Sequence, residues 1–201
     1  MKLIVITTER ILENEAYAIN QLFECGLQVL HFRKPHASLG ETERILKDID
    51  PSFYPRIVLH DHFQLVEIFD LKGIHINRRN PGIYHKPGIS VSCSCHSLDE
   101  VVTSRKYDYM FLSPVFDSIS KIGYRKGFTT QQLYEAGMKG IINEQVIALG
   151  GITPENIPEI SQYGFGGIAV LGVLWGDFEN DGSVDELLER FNNLKTICEK
   201  Q

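Results

Sequence analysis

Short apolar runs rich in β-branched residues alternate with longer amphipathic stretches along the chain, and Gly, Pro, Asn or Asp punctuates the joins. Eight runs read as strands: Leu3–Thr7, Gln28–Arg33, Arg56–His60, Gly73–Ile76, Ile89–Ser94, Tyr109–Val115, Gln145–Leu149 and Gly167–Leu171. Most are apolar at nearly every position, as expected of parallel strands covered on both faces by helices. Helical patterns fill the gaps at Glu13–Cys25, Leu39–Asp48, Phe63–Phe69, Leu98–Arg105, Thr130–Ala136, Pro154–Tyr163 and Ser183–Cys198. Thr153-Pro154-Glu155-Asn156 reads as a helix start, with Thr at the N-cap and Pro in the first helical position, and Ser97 reads as the N-cap before Leu98-Asp99-Glu100. The stretch Asn77–Pro87 has no helical pattern, so the fourth strand–helix unit is expected to lack a full helix.

Eight strands with about seven intervening helices in 201 residues predict an α/β fold, a single compact (β/α)8 TIM barrel spanning residues 1–201 as one domain. The rival is an open doubly wound sheet. That fold calls for a Gly-x-Gly-x-x-Gly turn after the first strand, where this chain has Thr7-Thr8-Glu9-Arg10. Paired glycines come late instead, after the seventh strand, where barrels commonly hold a phosphate.

Composition narrows the function. With 43% hydrophobic and 23% charged residues the chain is an ordinary globular protein, and a net charge of −6 argues against nucleic acid as a partner. The first apolar run is too short for a signal-peptide core and no run reaches the length of a membrane span, so a cytoplasmic protein with no membrane partner is expected. Cys25, Cys93, Cys95 and Cys198 lack the second pair that a zinc site needs and read as small buried thiols. Trp175 and the region of Phe178 either cover the barrel or form a contact between copies, leaving a homo-oligomer open.

In a barrel, chemistry belongs at the C-terminal ends of the strands, and polar residues collect there. They include His31 and Arg33, His60 and Asp61, His75 and Asn77, Ser92, Ser94 and His96, Ser113, and then Ser118, Ser120 and Lys121. The turn Gly150-Gly151-Ile152-Thr153-Pro154 exposes backbone N–H groups ahead of a helix and Gly167–Gly172 supplies a second such turn, together a phosphate cradle, or else Gly-Gly simply makes a tight turn. Ser118, Ser120 and Lys121 combine hydroxyl donors with positive charge, as a second anionic group requires, or form a solvated loop. Asp61 is the best Mg²⁺ ligand, with capping of the helix from His62 as its alternative. Arg33 either clamps an anion or pairs with an acidic neighbour, and each histidine is a proton carrier or a structural side chain.

This ordered set of motifs resembles the thiamine phosphate synthase and TenI-like family. The resemblance runs through Arg56-Ile57-Val58-Leu59-His60-Asp61, Gly73-Ile74-His75-Ile76, Ser94-Cys95-His96-Ser97, Ser113-Pro114-Val115-Phe116, Leu149-Gly150-Gly151-Ile152-Thr153-Pro154 and Gly167-Ile168-Ala169-Val170. It implies a synthase that joins hydroxymethylpyrimidine diphosphate to a thiazole phosphate and releases pyrophosphate with Mg²⁺ as cofactor. Arg33 and Lys121 match pyrophosphate contacts, Ser118 and Ser120 stand at family threonines, and the Gly150-Gly151 and Leu171-Gly172 turns match the thiazole phosphate site. His31, His60 and His96 are the candidate proton carriers, with Ser94 beside the substrate.

The departures from the pattern raise two alternatives. Where the family has Gln-Leu-Arg-Glu-Lys this chain has His31-Phe32-Arg33-Lys34-Pro35, and the second metal aspartate falls on Asn80. A neutral amide in place of a carboxylate weakens a Mg²⁺ site. A TenI-like thiazole tautomerase, acting by proton transfer without metal, is one alternative, but the histidine of those enzymes falls on Pro114 here. A barrel that only binds thiazole phosphate is the other.

Overall fold

The computed structural model describes residues 1–82, 86–116 and 127–201. Eight parallel strands close into a barrel in sequence order: β1 (Lys2–Ile6), β2 (Val29–Phe32), β3 (Ile57–Leu59), β4 (Gly73–Ile76), β5 (Ser90–Cys95), β6 (Tyr109–Leu112), β7 (Val146–Leu149) and β8 (Gly167–Val170). Closure is made by β8 against β1, with Lys2 opposite Gly167 and Val5 opposite Val170. The expected (β/α)8 barrel is the observed fold.

Around it run α1 (Glu15–Glu24), α2 (Leu39–Lys47), α3 (Leu98–Thr103), α4 (Thr130–Met138), α5 (Ile157–Ser161), α6 (Gly172–Trp175), α7 (Phe178–Asp181) and α8 (Val184–Glu199). Local chemistry sets their starts. Ser38 and Glu41 form a reciprocal capping box on α2, Thr129 and Gln132 do the same on α4, and the Ser97 hydroxyl accepts from the Glu100 N–H at 3.1 Å. The expected helix over Phe63–Phe69 is a 3₁₀ turn over Phe63–Glu67, and a second one covers Pro51–Arg56. The described residues between β4 and β5 carry no helix.

One helix start differs from expectation. Thr153 does not cap α5, which begins at Ile157. The Asn156 side chain intervenes, accepting from the Thr153 N–H at 2.9 Å and donating to the Gly151 carbonyl at 2.8 Å. Those bonds hold residues 151–156 as a turn and delay the helix.

Two apolar clusters result. The larger lies between strands and helices and includes Leu30, Leu59, Ile74, Leu112, Ile168 and Trp175. The smaller fills one side of the barrel interior with Ile4, Ile6, Phe111, Ile147 and Ala169. Trp175 is fully buried, donates its indole N–H to the Ile6 carbonyl at 2.9 Å and packs on Phe178 at 5.6 Å, so these rings cover the barrel. Among the described residues no helix is long and apolar enough to cross a membrane.

Candidate active site

The other side of the barrel interior is polar. His31 of β2, His60 just after β3 and His75 of β4 are buried together, with rings in contact: His31 and His60 edge-on at 5.1 Å, His60 and His75 stacked at 4.2 Å. Phe111 flanks His31 and His75 at 4.6 and 4.7 Å. Alternation along the strands puts these side chains inside, since every second residue faces the axis.

Each buried ring is hydrogen-bonded, as burial requires. His31 Nδ1 lies 2.8 Å from His60 Nε2, and its Nε2 lies 2.7 Å from the Tyr109 hydroxyl. His75 is held at both nitrogens by Ser92 and Ser94, each at 2.8 Å. The Ser92 hydroxyl donates to the Ile74 carbonyl at 3.3 Å, so it accepts from His75 Nδ1–H, and Nε2 accepts from Ser94. Burial pushes the Tyr109 phenol up and keeps it protonated. With that phenol donating to His31 Nε2, His31 donates through Nδ1 to His60, whose own proton sits on Nδ1.

Electrostatics match this neutral network. Burial first, then neighbouring positive charge, holds His31 and His60 well below the usual histidine range and His75 down at about 3. The three histidines have ring nitrogens within 4.8 Å of one another. They are a hydrogen-bonded cluster: both ring nitrogens of His31 and of His75 are already paired with protein groups, His31 with His60 and Tyr109 and His75 with Ser92 and Ser94.

Above this floor lies the mouth. Asn77 donates to the His60 and His75 carbonyls at 3.0 and 3.2 Å, and its Oδ1 receives the backbone N–H groups of Arg79 and Asn80. The resulting turn aims two side chains at Asp61. Asp61 Oδ1 accepts from Asn80 Nδ2 at 2.9 Å and from Arg79 Nη2 at 3.2 Å, while Asp61 Oδ2 is buried with no partner. His62, not Asp61, precedes the 3₁₀ turn at Phe63, and that turn has no side-chain cap.

Arg33 follows the neighbouring strand β2, its guanidinium 2.8 Å from Glu9. Glu9 is held in turn by a buried ion pair: Lys34 Nζ reaches Glu15 at 2.5 Å and the Thr8 and Arg10 carbonyls at 2.9 and 2.6 Å, bracketing Glu9. The Lys34 and Glu15 side chains are 1% exposed, which raises the Glu15 carboxyl and lowers the Lys34 ammonium, each shift opposed by the partner's charge.

His96 is exposed and separate from the buried three, with Nδ1 3.0 Å from the Ser113 carbonyl. Gly150 and Gly151 both have left-handed backbones, with φ of 96° and 66°. A Cβ on Gly150 would lie 2.9 Å from Pro114 Cα, so only glycine makes this turn. Leu171 and Gly172 open α6 beside it. Ser118, Ser120 and Lys121 lie outside the described residues. Arg79, Glu9, Lys34 and Tyr109 were not singled out from the sequence as site residues; Arg79 had one available signal, its place beside Asn80. A cavity of ≈ 760 Å³, lined in part by Lys72, Tyr109 and Phe191, opens at the N-terminal end of the barrel, on the far side of the histidine cluster from the mouth.

Fold and site first define a class: a (β/α)8 barrel with paired guanidiniums and a carboxylate at its C-terminal mouth, and glycine turns after β7 and β8 where such barrels hold phosphate. The chain belongs to the thiamine monophosphate synthase family, whose model matches residues 3–174. It is 43% identical to a thiamine phosphate pyrophosphorylase of Bacteroides thetaiotaomicron, with a TM-score of 0.90 over 99% of this chain and 98% of that one. It is also 25% identical to the thiamine-phosphate synthase of Pyrococcus abyssi, covering 93% of each. A thiamine phosphate pyrophosphorylase of Pyrococcus furiosus, 23% identical, has the same fold at a TM-score of 0.76 over 99% of this chain and 96% of that one.

Proposed function

We propose that this chain is a thiamine phosphate synthase, a transferase of thiamine biosynthesis that condenses hydroxymethylpyrimidine diphosphate with thiazole phosphate and releases pyrophosphate. Beside the family membership, one observation carries the reading: Asp61 keeps a buried, unpartnered carboxylate oxygen at a mouth flanked by Arg33 and Arg79. A buried carboxylate oxygen without a donor is costly, and a cation bound there relieves it.

That oxygen fits Mg²⁺, which takes one or two carboxylates and fills its sphere with water and substrate phosphate. Asp61 would hold it. Asn80 turns its amide nitrogen to Asp61 and steadies the carboxylate from the side. Held by Asp61, Mg²⁺ would supply neutralising charge for the pyrophosphate leaving group.

The remaining roles belong to the protein. Arg33, aimed by Glu9, grips the diphosphate with a planar fork. Lys121, Ser118 and Ser120 are assigned by resemblance to the same group. The Gly150-Gly151 and Leu171-Gly172 turns take the thiazole phosphate on backbone N–H groups, placing the thiazole nitrogen in line with the pyrimidine methylene. As the carbon–oxygen bond to the diphosphate breaks, that nitrogen forms the new bond. The neutral histidine floor adds no positive charge beneath the developing pyrimidine cation.

The test is a product assay by mass spectrometry, using the pyrimidine diphosphate and both thiazole phosphate carboxylate tautomers, with Mg²⁺ or with chelator. Thiamine phosphate and pyrophosphate formed with Mg²⁺, with the substrate's carboxyl group released as carbon dioxide, is the expected result. Tautomer exchange without condensation, or silence in both channels, overturns the reading.

A further inference from the structure

The two oxygens of Asp61 are in different states. Oδ2 has no partner, but Oδ1 already faces a cation, the Arg79 guanidinium at 3.2 Å. The contact uses one end of the fork, and among the described residues the Arg79 side chain has no other hydrogen-bond partner. A guanidinium carries five N–H groups, so most of its donors are left for a ligand. Its side chain is 42% exposed at the mouth. The backbone beneath it is fixed, because the Arg79 N–H donates to Asn77 Oδ1 at 3.0 Å.

Arg33, after β2, has the same design. Its guanidinium is tethered to Glu9 at 2.8 Å and its N–H to the Thr7 hydroxyl at 2.9 Å. Arg33 follows β2 and Arg79 follows β4, the two strands that flank β3 and the Asp61 beyond it, so both forks rise from the same sector of the barrel mouth. Each fork is oriented by a carboxylate rather than left to swing, so less rotamer freedom is lost when an anion binds.

We propose that Arg79 is a diphosphate-binding residue and, with Arg33, forms a two-guanidinium clamp that holds the diphosphate before any divalent ion arrives. The inference rests on the synthase reading, since that reading supplies the diphosphate. It assigns the clamp to binding and leaves to Mg²⁺ the charge that develops as the leaving group departs. Arg79 and Mg²⁺ are then competitors for Asp61: the guanidinium occupies one oxygen and repels a second cation at the other.

This competition makes the test specific. Pyrophosphate is titrated calorimetrically into wild type, Arg79→Ala and Arg79→Lys, in EDTA and in Mg²⁺, and Mg²⁺ alone is titrated into each. Wild type is expected to bind pyrophosphate in EDTA. Arg79→Ala is expected to weaken that binding by about 10- to 100-fold, the worth of a charge-assisted contact, and to bind Mg²⁺ alone more tightly than wild type. Arg79→Lys is expected to fall between the two, keeping the charge and losing the fork. A merely structural role for Arg79 moves both ligands the same way together with the thermal midpoint. Unchanged pyrophosphate binding in Arg79→Ala overturns the inference, and so does a wild type that binds pyrophosphate only with Mg²⁺. A wild type that binds none in either condition overturns the synthase reading as well.

Discussion

The interior of this barrel is divided lengthwise. From β2 to β5 it presents His31, His60, His75, Ser92 and Ser94; from β6 round to β1 it presents Phe111, Ile147, Ala169, Ile4 and Ile6. Above the polar half, the groups we assign to recognition are side chains on tethered loops: Arg33, Asp61, Arg79 and Asn80. Above the apolar half they are backbone turns, at Gly150-Gly151 and Leu171-Gly172. The difference teaches how one barrel can hold two phosphorylated substrates apart. A diphosphate needs opposed charges with long reach, whereas a monophosphate is met by fixed N–H groups close to the strand ends.

The sharpest break lies where the halves meet. Phe111 packs on both His31 and His75, so Phe111→Ala removes the apolar wall of the polar half and is expected to cost about 3–5 kcal/mol in urea unfolding. Acid attacks the polar half alone. His31 and His75 have folded pKa values below the unfolded value of 6.5, so the unfolded chain binds more protons, and stability present above 6.5 is lost as pH falls toward about 3. His75 alone accounts for about 2 kcal/mol between pH 6.5 and 5, with His31 adding in the same direction. A urea midpoint that stays flat from pH 7 to 5 contradicts the neutral network.

Smaller changes sharpen the picture. Tyr109→Phe leaves His31 Nε2 without its donor and is expected to cost about 1–3 kcal/mol by thermal or urea unfolding; no change means that water replaces the phenol. Asn80→Asp puts a second carboxylate beside Asp61 and is expected to tighten Mg²⁺ several-fold, while lowering stability without the ion because the amide's bonds to Asp61 and the His60 carbonyl are lost. A metal titration identical to wild type means that position 80 does not reach the ion.

All eight strands were legible in the sequence to within a few residues at either end, because parallel strands buried on both faces are near-continuous apolar runs with glycine or polar breaks. The start of α5 was misread because Thr153-Pro154 has the local chemistry of a helix start, while the side chain of Asn156, three residues on, determines the turn. Strand position also foretold Arg33 and Asp61 at the strand ends, but it grouped His31, His60 and His75 with them, which the structure buries in the interior below. What it did not foretell was how they pair. His96 lies beyond the end of β5, exposed and bonded to the Ser113 carbonyl, while His75 joins the core through two serines on the neighbouring strand. The Asp61–Arg79 contact depends on a turn shaped by Asn77, and the Lys34–Glu15 pair on the packing of α1 against the end of β2; neither leaves a local pattern.

The most direct test of the two-sided site is a crystal structure of the protein with pyrophosphate and thiazole phosphate bound together. The account predicts the pyrophosphate between Arg33 and Arg79 next to Asp61, with the thiazole phosphate on the Gly150-Gly151 and Gly172 backbone. Pyrophosphate seated on the glycine turns, or either anion at the N-terminal end of the barrel, would contradict it.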